Sequence, residues 1–164
     1  MILYLDTSSL VKLYLDEEHS DLVHAWVERA EVVFTSRVAL AEGIAAFAKR
    51  WRMQHLADAD FESVKRALTD DWPGFSSVGV NEVTAAELAA RLALRGFDAI
   101  HLAAAIEVFG QSGAAPTFFS SFDRQLNQAA RAEGLAVLDD DSDAYPVAVD
   151  TSMEVHEPVA PYKA

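Results

Sequence analysis

Four carboxylates fall where they can act together. Asp6 ends the apolar run Ile2-Leu3-Tyr4-Leu5, and Asp123 follows a second such run, Thr117–Ser121, in the same way. Glu42 is the only charged residue from Val38 to Ala48, and Asp98 follows Arg95-Gly96-Phe97 to open the apolar segment Ala99–Phe109. If the two runs are parallel strands, all four acids reach the carboxyl edge of one sheet, where open α/β folds bind ligands. Carboxylates gathered in this way repel one another by roughly 4 kcal/mol per pair at 4 Å with an effective dielectric near 20. Protonating one acid relieves part of that repulsion, but the usual partner of an all-oxygen cluster is a hard divalent cation, Mg2+ or Mn2+. Such ions grip phosphate oxygens and acidify water, so the chemistry suggested is metal-assisted hydrolysis of a phosphate ester.

The elements that must position these acids follow from the hydrophobic pattern. Ile2–Leu5, Val32–Thr35, Ser77–Val80, Thr117–Ser120 and Leu135–Leu138 read as short strands. Helical patterns lie between them: Ser8–Leu15 and Ser20–Ala30, Val38–Trp51 and Asp58–Asp71, Glu82–Leu94 and Asp98–Phe109, then Asp123–Glu133. Asp58 and Asn81 can cap helices, and Gly96, Gly110 and Gly134 can end segments. This alternation predicts an α/β class fold, three layers α/β/α, with a central parallel sheet of about five strands. Ala99–Phe109 is apolar almost all round and is expected to be a buried helix.

The chain has 164 residues, 51% hydrophobic, which suits one domain with one sizeable core. It contains no cysteine, excluding disulfides, thiolate metal sites and a cysteine nucleophile. No apolar stretch approaches the about 18 residues that span a bilayer, and the start lacks a basic signal flank, so a cytoplasmic protein without a membrane partner is expected. The formal net charge of −13 argues against a polyanionic ligand, but it is unevenly placed. Seven acids and one base fall in 139–164. Residues 1–138 are read as the working domain, and 139–164 as an acidic, irregular C-terminal tail. Cations bound by the four acids would invert the local field and admit a phosphate.

The sequence also resembles a known family. Leu3-Tyr4-Leu5-Asp6-Thr7-Ser8-Ser9-Leu10-Val11-Lys12-Leu13-Tyr14, Leu40-Ala41-Glu42, Phe97-Asp98-Ala99-Ile100-His101-Leu102-Ala103 and Ser120-Ser121-Phe122-Asp123-Arg124-Gln125-Leu126 resemble, in order, the motifs of the PIN-domain ribonucleases, in particular VapC-type toxins of bacterial toxin–antitoxin pairs. The resemblance covers residues 1 to about 138. It implies a metal-dependent endoribonuclease in which Asp6, Glu42, Asp98 and Asp123 bind Mg2+ or Mn2+ and activate the water that cuts RNA. Thr7, Ser8 and Ser121 match the hydroxyl residues that support such a site. It further implies a 5′-phosphate and a 3′-hydroxyl as products, tRNA or ribosomal RNA as substrate, a cognate antitoxin and a homodimer.

Among the basic residues, Arg95 and Arg124 are the candidates to contact RNA; Lys49, Arg50, Arg52 and Arg91 read better as solvated helix faces. His101 stands three residues after Asp98, a spacing that can ligate metal. A lone imidazole in an alanine-rich buried helix is read instead as a local hydrogen-bonding residue, because Mg2+ has little use for nitrogen. Trp26, Trp51, Trp72, Phe47 and Phe61 read as packing residues. A haloacid-dehalogenase-like phosphatase would need a second acid where Ser8 stands, and a receiver module would need an acidic pair and a late lysine that are missing. The alternative from another class is a catalytically silent PIN-like module that binds RNA or protein.

Overall fold

The computed structural model describes residues 1–140 and 142. Five strands, β1 (Ile2–Leu5), β2 (Val32–Ser36), β3 (Ser76–Val78), β4 (Thr117–Ser120) and β5 (Val137–Leu138), form one sheet in the order β3-β2-β1-β4-β5. Every pairing is parallel, with Leu3 beside Val33 on one side and Phe118 on the other. Seven α-helices connect them: α1 (Thr7–Leu10), α2 (Ser20–Arg29), α3 (Ala39–Arg52), α4 (Asp58–Asp71), α5 (Glu82–Leu92), α6 (Gly96–Gln111) and α7 (Arg124–Ala132).

The central strand explains the layering. Successive side chains of a strand point to opposite faces, so Leu3 and Leu5 join Leu10, Val23, Phe47 and Leu68 in one core, with α1 to α4. Tyr4 points the other way and joins Leu88, Leu102, Phe119 and Leu126, with α5 to α7. Both faces are covered, as a parallel sheet requires. Within the first layer α3 and α4 approach closely at Gly43, where an added Cβ would lie 2.8 Å from Leu68 Cδ2. Within the second, α6 is buried at Leu102, Ala103, Ala104 and Ala105, the continuous small-residue stretch that lets α5 and the sheet close on it from two sides.

The strand order places the site. From β1 the chain moves outward through β2 and β3, then returns to the other flank of β1 for β4. The crevice between the carboxyl ends of β1 and β4 is therefore the topological switch point. Asp6 leaves β1 there, its backbone N–H donating to the Ser120 carbonyl at 3.1 Å, and Ser121 leaves β4 beside it.

The sequence reading needs correction at several boundaries. Ser8–Leu15 is not one helix: α1 lasts four residues and tightens into a 3-10 turn over Val11–Leu13. Asp98 does not open its helix; α6 begins at Gly96 with Arg95 as N-cap, which puts Asp98 in the first turn. The strand read at Ser77–Val80 starts at Ser76 and stops at Val78, and the strand read at Leu135–Leu138 shortens to two residues. Ordered packing extends one residue beyond Leu138, where the boundary is read. Asp139 is buried, accepting from Asn127 Nδ2 at 3.1 Å and Arg131 Nη2 at 2.8 Å. The rest of the expected tail, beyond Asp140 and apart from Ser142, lies outside the described residues.

Candidate active site

Asp6 is 5% exposed and is gripped from three directions. It caps α1, its Oδ1 accepting from the Ser9 backbone N–H at 3.0 Å and from Ser8 Oγ at 2.7 Å. Its Oδ2 accepts from Ser121 Oγ at 3.0 Å. Burial pushes the Asp6 carboxyl above its ordinary value, against the opposing pull of His101 and of these three hydrogen bonds.

The hydroxyls tie β1 to β4. Ser121 Oγ accepts the Asp123 backbone N–H at 3.0 Å, and Ser8 Oγ accepts that of Phe122 at 2.8 Å. Asn127 Nδ2 holds the Ser121 carbonyl at 2.9 Å. Asp123 caps α7, accepting from the Leu126 backbone N–H at 3.0 Å. One serine thus connects the Asp6 carboxylate to the Asp123 backbone.

Glu42 enters from α3. Its Oε2 accepts from Thr7 Oγ1 at 2.8 Å and lies 3.0 Å from His101 Nε2, while His101 Nδ1 lies 3.1 Å from the Tyr4 hydroxyl. The proton positions follow from chemistry. Burial, then the charges of Asp6 and Glu42, push the Tyr4 phenol well up, so it keeps its proton and donates to Nδ1. Nε2 then carries its hydrogen toward the Glu42 carboxylate, which can only accept. Burial pushes the Glu42 carboxyl up, but hydrogen bonds from His101 and Thr7, with the charge of Arg95, outweigh that and leave it below its ordinary value. His101 is therefore the local hydrogen-bonding residue expected of it, yet its partner is an acid of the cluster. The sequence carried no signal for this, since Tyr4, Glu42 and His101 come from three separate elements.

Asp98 and Asp123 meet on one cation. Arg95 Nε donates to Asp98 Oδ2 at 2.6 Å, and its Nη2 reaches Asp98 Oδ1 at 3.2 Å and Asp123 Oδ2 at 2.8 Å. The hydrogen bond and charge of Asp98, with the charges of Asp123 and Glu42, push the guanidinium pKa up. Arg95, read as an RNA contact, is thus engaged within the cluster, though its side chain is 73% exposed. Arg124, the first residue of α7, is exposed and has no ion pair or hydrogen bond of its side chain among the described residues.

The four acids therefore share one neighbourhood but divide into held groups: Asp6 on serines, Glu42 on Thr7 and His101, and Asp98 with Asp123 on Arg95. Among the described residues no three His, Asp or Glu side chains already stand as a ligand set for a metal ion. The donor chemistry nevertheless fits a hard divalent cation, being all carboxylate and hydroxyl oxygen, with two acids already converged on one positive centre.

Comparison with known proteins agrees with this geometry. The PIN domain profile matches residues 3–132. Ribonuclease VapC45 and ribonuclease VapC49, from two Mycobacterium tuberculosis strains, are each 34% identical over 139 residues, covering 83% of this chain and 94% of theirs. Among solved structures, PAE2754 from Pyrobaculum aerophilum superposes with a TM-score of 0.60 at 18% identity, over 84% of this chain and 89% of that one. FitAcB from Neisseria gonorrhoeae gives 0.59 at 20% identity, over 85% and 97%. These structures share the fold, the two mycobacterial sequences share much more, and together they make this chain a member of the PIN-domain family, of the VapC type.

Proposed function

We propose that the chain is the toxin of a toxin–antitoxin pair, an endoribonuclease that hydrolyses RNA phosphodiester bonds at the crevice between β1 and β4. The reading is supported by identity of about a third to two VapC ribonucleases, with Asp6 at the switch point and Asp98 and Asp123 drawn together on Arg95 nearby. The same reading brings with it a cognate antitoxin, a homodimer, a cytoplasmic site of action and tRNA or ribosomal RNA as substrate. Among the described residues, no helix is long and apolar enough to cross a membrane. The domain is proposed to close shortly after Asp139.

Asp6, Asp98, Asp123 and Glu42 would hold Mg2+ or Mn2+. A bound divalent cation supplies Lewis acidity, neutralising phosphate charge and acidifying water. The chain's own groups divide the remaining work. Glu42, held below its ordinary pKa, stays ionised and serves as a fixed negative charge. Asp6, buried and fixed by hydrogen bonds from Ser8, the Ser9 backbone and Ser121, would offer the ion a carboxylate that does not need to reorganise. Water oxygen joins phosphorus, the bond to the 3′-oxygen breaks, and the leaving oxygen takes up a proton, giving a 5′-phosphate and a 3′-hydroxyl. Arg124, exposed beside Asp123, is placed to hold a neighbouring phosphate.

The test is incubation of purified protein with a tRNA and ribosomal RNA pool in Mg2+, Mn2+ or EDTA. Cutting is expected with either ion and absent with the chelator. A catalytically silent binding module is the second reading, favoured by the guanidinium already seated between Asp98 and Asp123. It would win if no condition yields products and calorimetry detects no Mn2+ binding.

Arg95 gives a prediction of its own. A cation entering between Asp98 and Asp123 must compete with the guanidinium, and ion pairs this exposed are individually weak. Arg95→Gln is therefore expected to tighten Mn2+ binding by about 3–10-fold in calorimetry, the scale of two exposed pairs. Unchanged or weaker affinity would show that the ion binds without displacing Arg95.

A further inference from the structure

Phe97 is out of keeping with the rest of the chain. Of the nine phenylalanines, all among the described residues, it alone is exposed, at 55%. The other exposed Phe, Tyr or Trp among the described residues, Trp51, stacks on Phe61 with ring centroids 5.1 Å apart and planes 12° from parallel. Phe97 has no ring, cation or polar partner among the described residues. A single exposed apolar residue is ordinary by itself; Phe97 is singled out by where it stands.

Phe97 is the second residue of α6, between Arg95, which reaches into the acid cluster, and Asp98, which belongs to it. Helical residues four apart share a face, so Phe97 stands one turn above His101, the residue that grips Glu42. Consecutive helical residues diverge by about 100°, which turns Phe97 to the flank of Asp98 and away from the acids themselves. A flat, exposed apolar ring thus stands in the first turn of the helix that carries Asp98 and His101, two residues from an exposed guanidinium.

Taking the nuclease reading as given, we propose that Phe97 is a stacking platform for an unpaired nucleobase flanking the cut, and so a specificity-determining residue that selects single-stranded segments of RNA. Aromatic faces accept any base that is free of its own stack, and proteins read RNA chiefly where bases are unpaired. Its place beside Asp98, one of the acids at which the strand is proposed to be cut, favours the RNA strand over an apolar protein segment as its occupant. A base stacked on Phe97 contributes to holding the strand and takes no part in bond breaking.

The test compares wild type, Phe97→Ala and Phe97→Trp in steady-state cleavage of an RNA oligonucleotide with one unpaired cut site. Phe97→Ala is expected to raise KM by about 5–100-fold, the range for losing one base–aromatic stack, with kcat changed by less than about twofold. Phe97→Trp is expected to restore KM, and a fully paired duplex to show no difference among the three. In parallel, 2-aminopurine placed beside the cut site should be quenched on binding to Asp6→Asn but not to the double variant with Phe97→Ala. Equal KM values for wild type and Phe97→Ala overturn the inference, whether the ring proves inert or covered by a protein partner. If wild type cuts no RNA the nuclease reading falls instead, and the 2-aminopurine signal alone decides for or against the platform.

Discussion

Asp6→Asn lowers RNA cleavage by about 100- to 1,000-fold, the scale of removing one preorganised electrostatic group from an active site, and leaves the fold at least as stable as wild type at neutral pH. The loss follows because Asp6 is the most buried of the four acids and lies nearest the strand that sets the switch point. The stability follows from isostery. The amide oxygen can still accept from the Ser9 backbone and Ser8, and the new N–H can donate to Ser121 Oγ, whose second lone pair continues to hold the Asp123 backbone.

The pH dependence has a definite sign. Because burial raises the Asp6 pKa in the folded state, ionising it costs the fold stability as pH rises through that raised value. The advantage of Asp6→Asn in thermal midpoint should therefore be present at neutral pH and shrink as pH falls toward the ordinary carboxylate range. Glu42 works the other way: its depressed pKa gives stability above the ordinary range that is lost as pH falls through the depressed value. Single-turnover cleavage and thermal midpoints at two pH values check both statements. A variant that cuts as well as wild type would remove Asp6 from the catalytic set, and a midpoint well below wild type at pH 7 would show that its hydrogen bonds outweigh its desolvation.

His101→Leu is the second large effect. The imidazole is 2% exposed and joins the Tyr4 hydroxyl to Glu42. Removing it strands a buried phenol and takes from Glu42 its principal donor, a loss of about 1–3 kcal/mol for each buried group left unsatisfied. Residues that hold a metal ligand in place typically affect ion affinity or activity by about 10–100-fold, and the same range is expected here for Mn2+ affinity. Tyr4→Phe separates position from packing. It keeps the ring stacked on Phe119 with centroids 5.7 Å apart and deletes only the hydroxyl that fixes the His101 tautomer. It should cost about 0.5–1.5 kcal/mol and weaken Mn2+ binding less than His101→Leu does. Equal Mn2+ affinity for wild type and both variants would reduce the chain of three residues to core filling.

What could be read from the residues alone depended on whether the cause was local. Asp6 and Asp123 were legible because Asp6 directly follows, and Asp123 closely follows, a short strand-like run, and parallel strands deliver their succeeding residues to one edge. Thr7, Ser8 and Ser121 came with them as sequence neighbours. The helix and strand ends that moved did so for reasons outside the local pattern: the 3-10 turn after Leu10 and the two-residue β5 reflect packing against elements distant in sequence. Arg95 was read as an RNA contact because nothing in its neighbourhood shows that Asp123, 28 residues later, returns to it. Asp139 looked like the first residue of an acidic tail because its partners, Asn127 and Arg131, declare themselves only when α7 lies beside it. The acids' positions were local facts; the groups that hold them were not.

The bridge of Arg95 between Asp98 and Asp123 bears on when in the protein's life the cluster becomes dangerous to RNA. With the Arg95 guanidinium offsetting part of the charge of Asp98 and Asp123, the two carboxylates can stand side by side in the folded chain before any ion arrives. If the proposed ion is required for cutting, folding and activation are then two separate steps for this chain.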